Sequence, residues 1–462
     1  MASIATIVCI AFIAWLFWLD RDQEARASTV LWIPTVWLLI NGSRSVSAWL
    51  HRSAAEPLAT RFSEGSPLDA AVFGLLILAG IVVLNFRARR LRELLQQNLP
   101  IVLFFAYCGV SVLWSAYSFI ALKRWSKAIG DFVMVLVVLT DPQPLQAIRR
   151  FFARVTFILL PLSVLLIEFY PGIGTAWDET DRVMMYVGVT TFKNLLGMVT
   201  LVCGLSAVWR LLEAQENKLL WHRQRHLTAH GLMVMTAIWL LVKCNSMTSL
   251  SCFGLSSAVM YMSTRPWVRE KARRVHLVVA TAIGIPIFAL FVDTMGTLVR
   301  LLGRKPNLTD RTLIWKAVLA MHSNPIVGTG FESFWLGSHL QSVWDLSVHG
   351  IQEAHNGYLE VYINLGWIGE LLLLALIITG YRNILKALRS DPNMGRMRLA
   401  FFTAALIYCL TEAGFRMMNP IWISFLLVIA STATRMPVVL RRIIAPITPI
   451  EKMPEQRTRV LQ

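Results

Sequence analysis

Long apolar runs recur from one end of the chain to the other, separated by short polar stretches. A run of about 20 residues is enough to cross the hydrocarbon core of a bilayer. Such runs fall near 4–19, 27–41, 68–85, 99–115, 125–140, 151–170, 188–209, 229–243, 249–263, 276–295, 356–380, 399–413 and 419–435. They predict about 13 transmembrane helices, with a range of roughly 12–14. Lipid offers no water to open backbone groups, so every span is expected to be helical. The predicted fold class is an all-α polytopic membrane protein. One polar excursion, 296–355, breaks the pattern and carries Arg300, Arg304, Lys305, Asp310, Arg311, His322, His339, His349 and His355. Smaller polar segments lie at 42–67 and 171–187. The organisation read from this is a single integral membrane domain, 1–435, with 296–355 as its large loop, followed by a basic tail, 436–462.

Within the long loop, Thr309 can cap a helix that begins at Asp310 and Arg311. Ile314, Trp315, Val318, Leu319 and Met321 follow at helical spacing and stop at Asn324-Pro325. This is an amphipathic helix, suited either to the membrane surface or to packing as a lid on the bundle. Gly328-Thr-Gly330 makes a turn, and with no preceding strand and no following Lys it is not a nucleotide loop. Ala354-His-Asn-Gly-Tyr-Leu-Glu360 opens the next span and puts His355 at a helix N-terminus.

Composition agrees: 56% of the 462 residues are hydrophobic, with 17 Trp and 23 Phe, which excludes an ordinary soluble domain. A net charge of +17 first suggests nucleic acid, but its placement redirects that reading. Basic clusters sit beside span ends: Arg87, Arg89, Arg90 and Arg92; Arg265, Arg269, Lys271, Arg273 and Arg274; Arg382, Lys386, Arg389, Arg396 and Arg398. Assigned to alternate loops, most Lys and Arg fall on one side, the positive-inside signal, close to anionic headgroups. This register makes the 436–462 tail cytoplasmic and puts Met1 and the 296–355 loop outside. The first run lacks a basic leader and is expected to remain as a span. Cys9, Cys108, Cys203, Cys244, Cys252 and Cys409 form no CxxC pair and are expected to be buried small hydrophobes.

Ionisable residues in spans cost several kcal/mol unless they face protein or water, so their depth is informative. Glu168, Lys193, Asp293, Glu360 and Glu412 fall near outer ends, Glu370 deeper and Asp131 near mid-span. An ion pathway would spread such groups through both halves. This pattern predicts an outward-opening cavity with an apolar floor, although for each residue a structural pair is the commoner outcome.

Fixed cations in such a cavity suit a lipid-linked diphosphate, because the guanidinium fork matches phosphate oxygens. The candidates are Arg311, whose helix N-terminus itself favours anions, with Arg182, Lys193, Arg124, Arg44 and Arg416. The alternative for each is a headgroup or carboxylate partner. His355 is the candidate general base: a helix N-terminus favours its uncharged form, and a sugar hydroxyl attacking an anomeric carbon needs a proton acceptor. No DxD-type acidic pair or His-rich set appears outside, so neither metal nor cofactor is expected, with Arg and Lys neutralising the leaving diphosphate.

The run Asp310-Arg-Thr-Leu-Ile-Trp315, then His322-Ser-Asn-Pro-Ile-Val-Gly-Thr-Gly-Phe331, then Ala354-His-Asn-Gly-Tyr-Leu-Glu360 with Leu365-Gly-Trp-Ile-Gly369, resembles the O-antigen ligase and polymerase superfamily. Gly42-Ser-Arg44 with Trp49, and Thr191-Phe-Lys-Asn-Leu-Leu-Gly197, resemble its exopolysaccharide polymerase branch. The likeness runs from about residue 28 to 435. It implies a metal-independent inverting glycosyltransferase of the membrane C-type (GT-C-like), acting on undecaprenyl-diphosphate-linked glycans at the periplasmic face of a bacterial inner membrane. It further implies His355 as the acceptor's base and Arg311, with Lys193 or Arg182, as the diphosphate clamp; where ligases usually carry an Arg, this chain has Lys193.

The function expected is therefore polymerisation of lipid-linked repeat units, with Glu360 or Glu412 orienting the catalytic groups. Donor and acceptor are both glycans on the lipid carrier, and polysaccharide export and chain-length proteins are the expected partners, not nucleic acid. A ligase that uses lipid A core or a protein as acceptor differs only in that acceptor. The rival of another class, a secondary transporter or lipid flippase, would show broken mid-span helices, and Pro161 and Gly284-Ile-Pro286 do interrupt spans.

Overall fold

The structure, a computed structural model, describes residues 1–21, 28–50, 66–178, 183–216, 222–294, 308–321, 323–345 and 351–431, with 291–294 and 308–310 described as backbone only. Arg182, Arg300, Arg304, Lys305, His322, His349, most of the 42–67 segment and the 436–462 tail lie outside the described residues. Met1–Ser431 forms one compact unit.

Each apolar run falls on a helix. Among the described residues, 7 helices are long and apolar enough to cross a membrane by themselves, or up to 8 if Ala88–Gln97 and Leu99–Trp114, bent by 90°, count as one span. The helices Trp32–Asn41 and Pro420–Ile429 are apolar but short, at 10 residues each. Large apolar side chains such as Ile4, Ile7, Leu75, Leu78, Phe288, Leu371 and Leu374 point outward from the bundle. A soluble protein would not expose such a belt, whereas lipid accepts it. The chain is a multi-pass membrane protein.

The helix Lys193–Glu216 runs through the middle, packed against Arg223–Lys243, Met247–Met262, Pro144–Phe169 and Pro392–Tyr408. One departure from an all-helical reading is a hairpin in the 171–187 segment. Thr175–Asp178 pairs antiparallel with Val183–Tyr186, with Thr175 opposite Tyr186.

Ion pairs tie one end of the bundle together. Arg87 Nη2 lies 3.3 Å from Asp141 Oδ2, Arg396 pairs with Glu216 at 2.6 Å, and Arg149 and Arg210 both pair with Glu213. The basic clusters read from the sequence sit around this end. The long loop returns to the opposite end, where Arg124 and Arg416 bond to its Glu332 and Glu412 pairs with its Arg311.

The loop is anchored by a break in the helix Gly357–Ser390. Gly366 there has φ 63° and ψ −164°, which interrupts the helical ladder. The turn 324–330 fills the interruption: Trp367 N donates to Pro325 O at 2.9 Å, Thr329 N to Ile363 O at 3.1 Å and Gly330 N to Asn364 O at 2.9 Å. A Cβ at Gly366 would meet the Ile326 carbonyl carbon at 2.3 Å, and one at Gly328 the Asn364 carbonyl carbon at 2.4 Å. Only glycine allows both the left-handed backbone and this approach. The loop's glycines and those after Leu365 are thus two halves of one joint.

The predicted loop helix is present as Leu308–Ala320. Its Ile314 and Val318 are buried with Phe334, Trp335, Val343, Ala354 and Ile363 in a second small core, while Leu313 and Leu319 stay exposed. It packs as a lid on the loop's own core, and Trp315 Nε1 fixes it by donating to Ala354 O at 2.7 Å.

Candidate functional site

Three loop or helix-end segments converge beneath that lid: Arg311 from the lid helix, Glu353 and His355 from the stretch before Gly357, and Glu412 and Arg416 from the turn after Tyr408. Asn356, not His355, caps the Gly357–Ser390 helix, its side chain accepting from Tyr358 N and Leu359 N at 3.0 Å each. His355 itself has φ 48°, Glu332 φ 50° and Met418 φ 58°. A non-glycine residue in this left-handed region costs about 1–2 kcal/mol, a strain that surrounding contacts must hold.

The contacts form a row in which cations and carboxylates alternate. Arg311 Nη2 donates to Glu412 Oε1 at 2.8 Å. The other oxygen of Glu412 lies 3.2 Å from His355 Nδ1. The same Nδ1 lies 3.0 Å from Glu353 Oε1. Glu353 Oε2 is 3.5 Å from Arg416 Nη1, and Arg416 Nη2 is 2.8 Å from Glu332 Oε2. Glu412 and Glu332 are buried, whereas the side chains of Arg311, His355 and Arg416 are 22%, 24% and 23% exposed. Two carboxylates of the row, Glu412 and Glu332, are thus buried beneath a partly open rim formed by the three cations and Glu353, which is 33% exposed.

This arrangement corrects the expected state of His355. Burial alone would lower its pKa, but hydrogen bonds to Glu353 and Glu412, and their charges, raise it to about 10. The two carboxylates outweigh any helix N-terminal effect, so the imidazole carries a proton at neutral pH. Burial would raise Glu353, yet His355, Arg416 and Arg311 hold it below its ordinary value. Glu332 is likewise lowered against its burial by Arg416 and Arg124. Because Nδ1 faces the carboxylates, Nε2 is the nitrogen left for a substrate.

The other sequence candidates divide clearly. Glu360 is buried one layer below, where both its oxygens accept from Trp335 Nε1 at 3.0 Å and Oε1 accepts from Ala354 N at 2.5 Å. It braces the residue next to His355 and does not orient the imidazole; Glu412 does that. Lys193 starts its helix between Phe192 and Asn194, and Asn194 donates to Glu412 Oε1 at 3.4 Å. Arg44 is engaged elsewhere, with Nε donating to Thr190 O at 3.0 Å and Nη2 to Ile173 O at 2.5 Å. Arg124 donates to the Glu332 carbonyl.

Sequence reasoning missed Glu353 and Glu332. Both lie in the 296–355 loop, and Glu353 is two residues before His355, but an acidic side chain in a polar loop carries no mark in the sequence of the cation it will meet. Asp131 also finds its role: it accepts from Trp37 Nε1 at 2.8 Å and from Met418 N at 2.6 Å, fixing the Arg416–Met418 turn to the bundle.

A cleft of about 160 Å³ opens beside the row, lined by Phe192, Asn194, Glu353, Glu412 and Arg416. Glu353, His355 and Glu412 place donor atoms within 4.8 Å of one another, as do Asp20, His226 and His230 at the opposite end. In each group an arginine already sits on a carboxylate, Arg311 on Glu412 and Arg210 on Asp20, so the donor sets are ion-pair networks as they stand. What the site offers chemically is a guanidinium for an anion, a second on its far side and an imidazole between them.

A family model described as "O-Antigen ligase" matches residues 229–374, the stretch that holds Arg311, Glu353, His355 and the Gly366 joint. "Exopolysaccharide production protein ExoQ" of Rhizobium meliloti (strain 1021) is 22% identical over 333 residues, covering 70% of this chain and 74% of that protein. The resemblance to the O-antigen ligase and polymerase superfamily, read first from the loop motifs, holds.

Proposed function

We propose that the chain is a membrane glycosyltransferase that polymerises undecaprenyl-diphosphate-linked repeat units at the periplasmic face of a bacterial inner membrane. The single observation that carries this is the row Arg311–Glu412–His355–Glu353–Arg416, set at the bundle end away from the Lys and Arg clusters. By the positive-inside rule those clusters face the cytosol and the row faces out. The likeness to an O-antigen ligase domain and to an exopolysaccharide production protein supports a glycan-processing enzyme.

In the proposed step a hydroxyl oxygen of the acceptor sugar bonds to the donor's anomeric carbon. The bond from that carbon to the diphosphate oxygen breaks, with inversion, and the electron pair leaves on the diphosphate. Arg311 neutralises the departing charge, assisted by a second cation, Lys193 or Arg182. The hydroxyl proton passes to His355 Nε2 once His355 has released the one it carries at rest. Glu412 and Glu353 hold the ring by Nδ1, and no metal is needed.

A transporter would use a broken helix as an open ion or substrate path. The break at Gly366 is instead filled by the 324–330 turn.

The test is purified protein with lipid-linked oligosaccharide and no nucleotide, in excess chelator. Elongation on the carrier is the expected result. Glycan moved only to added lipid A core would replace the polymerase by the ligase, and no transfer with either acceptor would end the proposal.

A further inference from the structure

Across the Arg416–Met418 turn from the 160 Å³ cleft lies a larger cavity of about 730 Å³. Its cationic rim is Lys123, Arg124 and Lys127 on the helix Ser118–Leu139, together with Arg416. Asp69, also on the lining, is already held by Ser47 through its backbone N at 2.9 Å and its Oγ at 2.5 Å. Neither Lys123 nor Lys127 has a carboxylate partner within ion-pair distance among the described residues, and Lys123 rests over the Phe119 ring at 4.5 Å. Below the rim the wall turns apolar with Phe73 and Ile77 on the helix Pro67–Phe86. A pocket of several hundred Å³ with a few convergent charges is of the size that takes a small organic ligand. A cationic rim above an apolar wall fits an anionic headgroup carrying a hydrocarbon chain.

We infer that this cavity seats the diphosphate of the acceptor lipid while the donor is held on the other side of the turn, at Arg311 beside Glu412, an inference that rests on the transfer reading above. Polymerisation brings two lipid diphosphates to one site, and their mutual repulsion requires separate cationic seats. The Arg416–Met418 turn provides the partition, with Arg416 lining both cavities. At the second seat no bond forms or breaks: the acceptor keeps its diphosphate and only presents its sugar. The cavity thereby selects an acceptor that is itself a lipid diphosphate, which is what separates polymerase from ligase.

The experiment uses the full chain in nanodiscs with two synthetic lipids. The donor has its accepting hydroxyl blocked, and the acceptor carries a non-cleavable phosphonate in place of the anomeric phosphate link. Lys123→Ala/Lys127→Ala is expected to raise the acceptor KM at least about tenfold, with donor KM and kcat within twofold, because only acceptor seating is lost. Binding of the non-cleavable lipid, read by tryptophan fluorescence, should weaken in parallel, and inorganic pyrophosphate should compete for it. A parallel arm with lipid A as acceptor separates the two phosphate sources: a tenfold KM effect confined to lipid A overturns the proposal. A rise in donor KM alone, or no change in either KM or binding, overturns it as well. Wild-type binding that depends on Lys123 and Lys127, with no turnover in any arm, would sink the transfer reading and leave the anion seat standing.

Discussion

Arg311 and His355 share one buried carboxylate: Glu412 accepts from the guanidinium through Oε1 at 2.8 Å and meets the imidazole through Oε2 at 3.2 Å. The lid helix and the residues preceding the Gly357–Ser390 helix are thereby joined at the proposed reaction centre. Moving either cation away from Glu412 leaves the buried carboxylate with a single cationic partner, so the two positions are expected to respond together.

Turnover should depend on pH through His355. Its folded pKa of about 10 means that the proton-accepting form is scarce at neutrality and grows about tenfold per pH unit up to that value. kcat/KM should therefore climb between about pH 7 and 10 and then level off. Glu353→Gln removes one of the groups raising the pKa and should shift the rise to lower pH. His355→Ala should abolish the rise and lower kcat by about 10²–10⁴-fold. A flat or falling profile in the wild type would instead mean that His355 works as a cation.

Glu412→Gln should release both partners at once. The expected loss in kcat/KM is at least about 100-fold, in the range of a displaced general base. The double variant with Arg311→Ala should be little worse than either single one, a non-additivity that a double-mutant cycle reads directly.

Arg311→Ala should cripple elongation, and Arg311→Lys should restore it only in part, since an ammonium cannot make the guanidinium's paired contacts. Arg269→Ala, in a cluster at the opposite end, should leave turnover within twofold. Equal losses at 311 and 269 would mean that the sidedness is inverted.

Asp131→Ala should act on stability first and on both cavities second. It leaves the buried Trp37 Nε1 and Met418 N donors without their acceptor, at a cost of about 1–3 kcal/mol. Thermal unfolding in detergent should drop, and the Arg416–Met418 partition should loosen. Full-length protein with wild-type melting would show that the turn is held by other contacts.

Gly366→Ala should be worse than an alanine elsewhere in the same helix, for instance at Thr379. The φ of 63° disfavours a Cβ by about 1–2 kcal/mol, and the added carbon would meet the Ile326 backbone at 2.3 Å. Undocking of the 324–330 turn should appear as faster limited proteolysis there before global unfolding.

Parts of the site were legible from linear order alone. Arg311 and His355 stood out because polar residues are rare in such a chain and because both sit beside helix starts. The lid helix was legible from its apolar spacing. Glu353 and Glu332 were not, because an acidic residue in a polar loop looks like any solvated one until a cation lands on it. The linear order leaves Glu360 and Glu412 as equal candidates for an orienting role, and only the packing separates them, with Glu360 bonded to Trp335 and Ala354 and Glu412 to His355.

The sequence suggested about 13 spans, where 7 or 8 helices among the described residues are long and apolar enough to cross alone. What it determined by itself is the membrane class and the helical character of the apolar segments, because burial in lipid obliges each segment to satisfy its own backbone and to carry an apolar surface. These are local properties, readable one segment at a time. Only the tertiary structure decided that three distant segments alternate charge in one row and that the 324–330 turn plugs a helix break. It also decided that Asp131 pins a turn between two cavities. Such relations depend on distances across the bundle, where a carboxylate a few ångströms from an imidazole sets its proton affinity, and no spacing along the chain encodes that distance.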